Sequence, residues 1–179
     1  MRVVGDVPRL NAKRYPNKTA LIMEDKALTY DQLNRQVNRV ANGLFSLGIA
    51  TGDRVAILAD NCLEWVIVCY AIAKCGATAV PINYRYKKEE LIYVINDSEP
   101  KAIFVGPEFV SMIAEANPEF VSAPYLVAIS GDPLSSGTTL EKLIDRKPAS
   151  EPKAKVDPGT PLSITYTSGT TGVPKGVLM

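Results

Sequence analysis

Ten residues near the carboxyl end of the sequence combine hydroxyl, glycine and lysine side chains in a pattern suited to binding phosphate. Residues 167–176 read TSGTTGVPKG, with four hydroxyls, three glycines and one lysine. Glycines let the backbone approach a ligand closely, and exposed amides and hydroxyls can donate hydrogen bonds to phosphate oxygens. Lys175 adds a mobile positive charge. The run therefore predicts a loop that binds the phosphates of a nucleotide.

Two other kinds of loop share part of this composition. Flexible linkers are also rich in Ser, Gly and Thr, but they seldom follow a buried strand or place one Pro-Lys-Gly after so many hydroxyls. The Walker loop, G-x-x-x-x-G-K-[ST], nearly aligns from Gly169. It fails because Pro174 stands at the second glycine and Gly176 at the Mg²⁺-binding hydroxyl. Phosphate binding outside the Walker class is the favoured interpretation.

The composition restricts the chemistry that the chain can carry. With 20 basic and 19 acidic residues the formal charge is +1, so no long-range field would gather nucleic acid and phosphate recognition must be local. The sequence has no histidine, which excludes a Ser-His-Asp or Cys-His hydrolase and a histidine-ligated metal. Cys62, Cys69 and Cys75 lack metal-ligand spacing and are interpreted as buried free thiols.

The sequence predicts an amphipathic helix with recognisable start and end signals. Thr29 and Gln32 form a capping-box pattern at its start, and Gly48 is placed to end it. Its apolar positions recur at helical spacing and predict one core-facing side: Leu33, Val37, Val40, Ala41 and Leu44. Its polar positions are expected on the surface: Arg35, Asn38, Arg39 and Asn42. Ahead of this helix, residues 20–23 and 27–28 predict two short strands around a polar turn.

Short apolar runs then alternate with helical segments. The predicted strands are 55–58, 78–80, 102–105, 125–129 and 162–166, and the predicted helices are 63–74, 89–96, 108–116 and 140–146. Such alternation favours parallel pairing, and strands that are apolar throughout are typical of a sheet covered on both faces. The predicted fold is α/β, a largely parallel sheet with helices on both faces. The phosphate-binding run would leave the carboxyl end of the last parallel strand, where open α/β sheets bind ligands.

The remaining segments predict surface and compartment. Residues 147–155 are rich in Pro and Lys and indicate an exposed connection, extended to 147–161 as a surface segment. The longest charge-free apolar stretch, around residues 65–73, is shorter than the roughly 20 residues of a membrane helix, so no transmembrane segment is predicted. The first residues lack the apolar core of a secretory signal. A cytoplasmic protein is expected.

The segment YTSGTTGVPKGV, residues 166–177, resembles the signature phosphate loop of the adenylate-forming superfamily, which includes acyl-CoA synthetases, peptide-synthetase adenylation domains and luciferases. Upstream segments agree with that family in order and spacing, namely residues 15–21, 28–33, 52–57 and 76–83. Residues 81–85, PINYR, are more similar to the acyl-CoA synthetase version than to the peptide-synthetase one. The resemblance covers nearly the whole chain.

The resemblance implies a two-step reaction in which a carboxylic acid is adenylated by ATP, with Mg²⁺, and the acyl group then passes to CoA or to a carrier protein. It assigns the β- and γ-phosphates of ATP to one set of residues: Thr167, Ser168, Gly169, Thr170, Thr171, Gly172 and Lys175. Thr167 is also the candidate Mg²⁺ ligand. The family's adenine, acyl and lid motifs are expected beyond residue 179, so the catalytic residues are expected downstream. Residues 1–179 are interpreted as a partial amino-terminal AMP-binding domain, with 166–176 as its phosphate loop.

Two interpretations of another class stay open. The chain could be a nucleotide or pyrophosphate sensor without chemistry, or an interaction fragment built from the front part of a ligase, because ancestry alone does not establish activity. A homodimer is kept as a candidate assembly. Continuation of the reading frame past Met179 into the family's adenine-binding motif and a carboxyl-terminal lysine would favour the enzyme.

Overall fold

The structure, a computed structural model, describes residues 3–134, 137–167 and 174–179. Its helices are α1 (Asp6–Arg14), α2 (Tyr30–Ser46), α3 (Leu63–Cys75), α4 (Lys88–Ser98), α5 (Val110–Ala116) and α6 (Leu140–Ile144), with 3₁₀ turns at Pro107–Phe109 and Asn117–Glu119. Its strands are β1 (Thr19–Met23), β2 (Lys26–Thr29), β3 (Arg54–Leu58), β4 (Thr78–Pro81), β5 (Ala102–Val105), β6 (Tyr125–Ala128), β7 (Thr138–Thr139), β8 (Ile164–Thr167) and β9 (Lys175–Leu178).

Five of these strands form one parallel sheet in the order β4-β3-β5-β6-β7. Helices connect the successive strands β3 to β6, as parallel pairing requires, because a parallel neighbour cannot be reached by a tight hairpin. The predicted α/β class is confirmed. β1 and β2 form a separate antiparallel hairpin, as their polar turn predicts.

Alternate residues of each central strand enter opposite hydrophobic cores. Val55 and Ile57 of β3 pack with α2 and α3, whereas Ala56 and Leu58 pack with α4 and α5. The same division holds in β5, where Phe104 faces the first core. Because successive side chains of a strand point to opposite faces, a strand that is apolar at every position needs a helical layer on each side. The structure supplies both layers.

Local signals fix where the two longest helices of the described chain begin and end. At the start of α2, Thr29 Oγ1 accepts from the Gln32 amide at 3.3 Å, and Gln32 Oε1 accepts from the Thr29 amide at 2.8 Å, so the predicted capping box is confirmed. At the end of α3, Gly76 takes a left-handed conformation with φ 69°, which costs glycine least. Both ends lie within a residue of the sequence prediction.

The structure differs from the sequence prediction in the hairpin that precedes residue 179. β8 does not join the parallel sheet as a full strand. It pairs antiparallel with β9, and its segment touches the sheet through one parallel bridge, between Ala79 of β4 and Ser163. The parallel direction expected for this strand is kept at that bridge, whereas the antiparallel pairing with β9 was not predicted. Among the described residues, no helix is both long and apolar enough to cross a membrane.

Candidate functional site

The β8–β9 hairpin brings the two ends of the predicted phosphate loop together. Thr167, the last residue of β8, lies directly opposite Lys175, the first residue of β9. Both side chains are exposed. Neighbouring strands are about 4.8 Å apart, so a hydroxyl and an ammonium flank the opening of the loop. Ser168, Gly169, Thr170, Thr171 and Gly172 lie outside the described residues.

Lys175 is available to an anion. Within the described part of the chain it forms no salt bridge, whereas other lysines such as Lys74 and Lys101 each pair with a carboxylate. An exposed ammonium that forms no ion pair with a carboxylate can neutralise negative charge on a ligand at little desolvation cost. This is the property that binding a leaving polyphosphate demands.

The amino-terminal end of the hairpin is fastened to the free edge of β4. The Ala79 amide donates to the Leu162 carbonyl at 3.0 Å, and Thr78 Oγ1 donates to the Pro161 carbonyl at 3.3 Å. The single bridge is parallel, so β8 runs in the same direction as β4. The loop consequently opens at the side of the molecule where the sheet strands have their carboxyl ends.

The carboxyl-terminal end of β8 is held by a tyrosine that the sequence analysis did not single out for this role. Tyr166 is 8% exposed and packs in the second core. Its hydroxyl donates to Asp97 Oδ2 of α4 at 2.5 Å, and the Tyr86 hydroxyl donates to its carbonyl at a long 3.5 Å. Burial, together with the neighbouring Asp97 carboxylate, raises the pKa of Tyr166 well above its usual range. The phenol therefore stays protonated and remains a donor at neutral pH.

Gly176 gives this tyrosine room. It lies opposite Tyr166 in the hairpin, and a Cβ added there would lie 3.2 Å from Tyr166 Cζ and 3.0 Å from Ile164 Cγ2. A side chain at this position would therefore crowd Ile164 and the Tyr166 ring. Its backbone does not need a left-handed conformation, since its φ is not positive.

A second polar cluster, also missed from the sequence, fastens the connection after α6 to the body of the fold. Lys74 Nζ donates to Glu151 Oε2 at 2.6 Å, to Asn34 Oδ1 at 2.8 Å and to Asn38 Oδ1 at 2.5 Å. Asn38 also donates to the Ala149 carbonyl at 2.8 Å. We call this set, Asn34, Asn38, Lys74 and Glu151, the lysine cluster. Asn38 was expected on the surface but is 1% exposed, because its amide satisfies the buried ammonium and the incoming backbone.

The three cysteines are free, as expected. Cys75 is buried, and Cys62 and Cys69 are half-buried. Burial raises the pKa of Cys69 and of Cys75 to about 12. Because the thiolate is the reactive form, neither thiol is poised for nucleophilic chemistry.

Comparison with known proteins identifies the family of this chain. The family model described as AMP-binding enzyme matches residues 9–179. The chain is 37% identical over 184 residues to the long-chain-fatty-acid–CoA ligase FadD13 of Mycobacterium tuberculosis, covering 99% of this chain and 35% of that protein. It is 34% identical over 169 residues to the fatty acid–[acyl-carrier-protein] ligase ScoC of Streptomyces coeruleorubidus, covering 94% of this chain and 31% of that protein.

Solved structures agree as well. The anthranilate CoA ligase AuaEII, in complex with anthranoyl-AMP, superposes with a TM-score of 0.93 at 31% identity, covering 98% of this chain and 34% of that one. The amino-terminal domain of FACL13 from Mycobacterium tuberculosis gives a TM-score of 0.83 at 34% identity, covering 100% of this chain and 44% of that one. The chain thus spans about a third of the length of the curated relatives it matches. It belongs to the AMP-binding enzyme family of adenylate-forming acyl-CoA and acyl-carrier-protein ligases.

Proposed function

We propose that the protein containing this chain activates a carboxylic acid, fatty or related, to its acyl-adenylate with ATP and then transfers the acyl group to CoA. The carrying observation is the hairpin, which sets Thr167 and Lys175 opposite each other at the opening of the loop. The names of the relatives support the choice of chemistry, since they act as CoA or acyl-carrier-protein ligases. We further propose that residues 166–176 are the part of the enzyme that binds the β- and γ-phosphates.

In the first half-reaction a carboxylate oxygen attacks the α-phosphorus of ATP, and the bond from that phosphorus to the oxygen bridging to the β-phosphate breaks. Pyrophosphate leaves with the electron pair. In the second, the thiol of CoA loses its proton and attacks the acyl carbonyl carbon, and AMP leaves. Catalysis of phosphoryl transfer depends mainly on positioning and on stabilising the charge that develops.

The chain's own residues would act on the leaving group. Lys175 places its ammonium against the negative charge that grows on pyrophosphate as the bond breaks. The Thr167 hydroxyl is the candidate oxygen ligand for Mg²⁺. Among the described residues, no group of carboxylates, cysteines or histidines is placed to hold a metal. A single hydroxyl suits an ion that arrives with ATP, because Mg²⁺ keeps most of its shell as phosphate oxygens and water.

Substrate and acceptor are tested by measuring ATP–pyrophosphate exchange with the full-length protein across a panel of carboxylic acids. The panel should contain fatty acids of graded chain length and aromatic acids, and products should then be followed by mass spectrometry with CoA or with a carrier protein. We expect exchange that depends on the acid and a CoA thioester as product. Binding of ATP without exchange for any acid would contradict the enzyme and favour the non-catalytic nucleotide-binding module.

Residues 1–179 alone are expected not to form acyl-adenylate. Phosphate contacts by themselves do not orient the α-phosphate against a carboxylate, and loss of that orientation forfeits up to about 7–11 kcal/mol of barrier reduction. The measurement is acid-dependent AMP formation by the purified 179-residue chain, with the full-length protein as the positive control. Turnover by the short chain would show that it carries the acyl and adenine sites itself.

A further inference from the structure

We infer that Asp97, acting through Tyr166, positions Thr167 and Lys175, the described ends of the phosphate loop, a role that rests on the function proposed above. The inference concerns a clamp of three residues, Asp97, Tyr166 and Gly176. It joins α4 to both ends of the loop, although Asp97 is 69 residues away from Tyr166 in the sequence. Asp97 touches no reacting atom and is a positioning residue.

Tyr166 lies beside both described ends of the phosphate loop. It directly precedes Thr167, the β8 end of the loop, and it faces Gly176, which follows Lys175 at the β9 end. The ring closely approaches the Gly176 backbone, since a Cβ there would be 3.2 Å from Cζ. One side chain thus contacts both ends of the loop, and its position governs where the Thr167 hydroxyl and the Lys175 ammonium lie.

The clamp is supported by α4, the helix that carries Asp97. α4 is anchored in the second core by Leu91, Val94 and Ile95, each 0% exposed. Because α4 is anchored in this way, the backbone of Asp97 near its end is held in place. The bond between the Asp97 carboxylate and the Tyr166 hydroxyl is charge-assisted, and charge-assisted bonds are shorter and stronger than neutral ones. Tyr86 adds only its 3.5 Å contact to the Tyr166 carbonyl. Ser98 also hydrogen-bonds the Tyr166 hydroxyl, but Asp97 supplies the charged partner at 2.5 Å.

Loss of the hydrogen bond between Asp97 and Tyr166 would affect the proposed reaction. Without the Asp97 bond the Tyr166 ring would still be buried, but its hydroxyl would lose its charged partner and the hairpin could shift relative to the sheet. A displacement of about 1 Å in a positioning element can reduce a rate by up to about 100-fold. The two ends would move together, so the contacts to pyrophosphate would weaken without loss of the fold.

The experiment compares Tyr166→Phe, Asp97→Ala, Asp97→Asn and the double variant Tyr166→Phe/Asp97→Ala in the full-length protein. Asp132→Ala and Tyr125→Phe are matched controls at exposed positions. Three readouts are taken: kcat/KM for MgATP in pyrophosphate exchange, the rate of thioester formation from supplied acyl-adenylate, and the rate of tryptic cleavage after Lys175, followed by mass spectrometry. The cleavage rate does not depend on the activity of the ligase, because cleavage in a strand requires only local opening.

We expect Tyr166→Phe and Asp97→Ala each to lower kcat/KM for MgATP about tenfold through misplacement of the loop ends and to accelerate cleavage after Lys175 by a similar factor through easier local opening. Thioester formation from supplied acyl-adenylate should be unchanged. Asp97→Asn keeps an acceptor and should stay within about threefold of the original protein. The double variant should be no worse than either single variant, because both remove the same bond.

Each other outcome has a defined meaning. Faster cleavage with unchanged exchange kinetics would overturn the positioning role, and so would additive losses in the double variant. Unchanged cleavage and kinetics would overturn the clamp itself. If the original protein catalyses no exchange with any acid, the proposed function fails, and the clamp is then judged by cleavage alone: acceleration in both single variants supports it, and no acceleration overturns it.

Discussion

Replacing Lys175 with alanine in the full-length protein is expected to lower the rate of acyl-adenylate formation by about 10²- to 10³-fold, the usual loss on removing one preorganised donor from developing negative charge. The physical reason is position. Lys175 begins β9 opposite Thr167, is exposed, and forms no salt bridge within the described residues. Its charge is therefore free to act on pyrophosphate. The measurement is the single-turnover rate of adenylate formation.

Separating the two half-reactions distinguishes this role from a general loss of activity. Thioester formation from supplied acyl-adenylate should be spared, because pyrophosphate has already left. The melting temperature should hardly change, since exposed substitutions usually alter stability by at most about 0.5 kcal/mol. Lys153→Ala, at an exposed position of the connection, is the matched control, and Lys175→Arg should recover part of the rate. An adenylation rate unchanged in Lys175→Ala would refute the phosphate role, and a large fall in melting temperature would show a structural lysine.

Local patterns predicted much of the fold because they are decided by neighbours in the chain. The capping box at Thr29 and Gln32 depends on two side chains three residues apart, and it forms as expected. The apolar runs became strands because β-strands of a sheet covered on both faces have no polar side. The antiparallel pairing of β8 with β9 was not predicted, because the sequence pattern assigned the first residues of β9 to a loop.

Contacts between segments that are distant in sequence could not be predicted from local patterns, and some of them hold the residues of the candidate site. Nothing local connects Tyr166 to Asp97 on α4, or Asn38 to the connection near Ala149, because each contact joins segments that are distant in sequence. α1 was also missed. Its Pro8 lies in the first turn, where proline is tolerated, but its few apolar residues give no clear periodicity. An asparagine on a helix is usually a surface residue, so only the fold reveals that Asn38 is buried.

The place of the loop in the sheet also departs from the general rule for open α/β sheets. The strand order reverses between β3 and β5, and ligands of such sheets commonly bind at that reversal. The phosphate loop instead leaves the hairpin beside β4, the strand at the edge of the sheet. The sequence motif and the rule for the fold class therefore point to different places on this sheet, and the proposed phosphate site follows the motif.

Removing the carboxylate of the lysine cluster is the change expected to reduce stability most among those considered. Glu151→Ala leaves the Lys74 ammonium, whose side chain is 4% exposed, with the neutral hydrogen-bond acceptors Asn34 and Asn38 and the electrostatic attraction of Asp6. Breaking a fully buried ion pair costs about 3–5 kcal/mol. The Glu151 side chain is 39% exposed, so water can replace part of its contribution. We therefore expect the free energy of unfolding of the 179-residue chain to fall by about 2 kcal/mol, measured by urea denaturation.

Matched variants separate charge from packing in that experiment. Glu115→Ala, at an exposed position of α5, should change the free energy of unfolding by at most about 0.5 kcal/mol. Lys74→Met in the Glu151→Ala background removes the stranded charge and should restore part of the lost stability, because uncharged side chains avoid the desolvation penalty. If Glu151→Ala were as stable as the original chain, the ion pair of the lysine cluster would make no net contribution to stability.

The pH dependence of the same pair gives an independent prediction. Burial opposes ionisation of Glu151, but hydrogen bonds from Lys74, Asn34 and Asn38 outweigh it and hold the pKa of Glu151 below its ordinary value of 4.5. The unfolded state then binds more protons than the native state as pH falls below 4.5, so the stabilisation from Glu151 is complete above that pH and is lost through its lower native pKa. The difference in stability between the original chain and Glu151→Ala should therefore be constant between about pH 5 and 7 and shrink in acid. Denaturation series across this range measure it, and a difference that persists undiminished at pH values below the native pKa would show that the carboxylate charge is not what stabilises the connection.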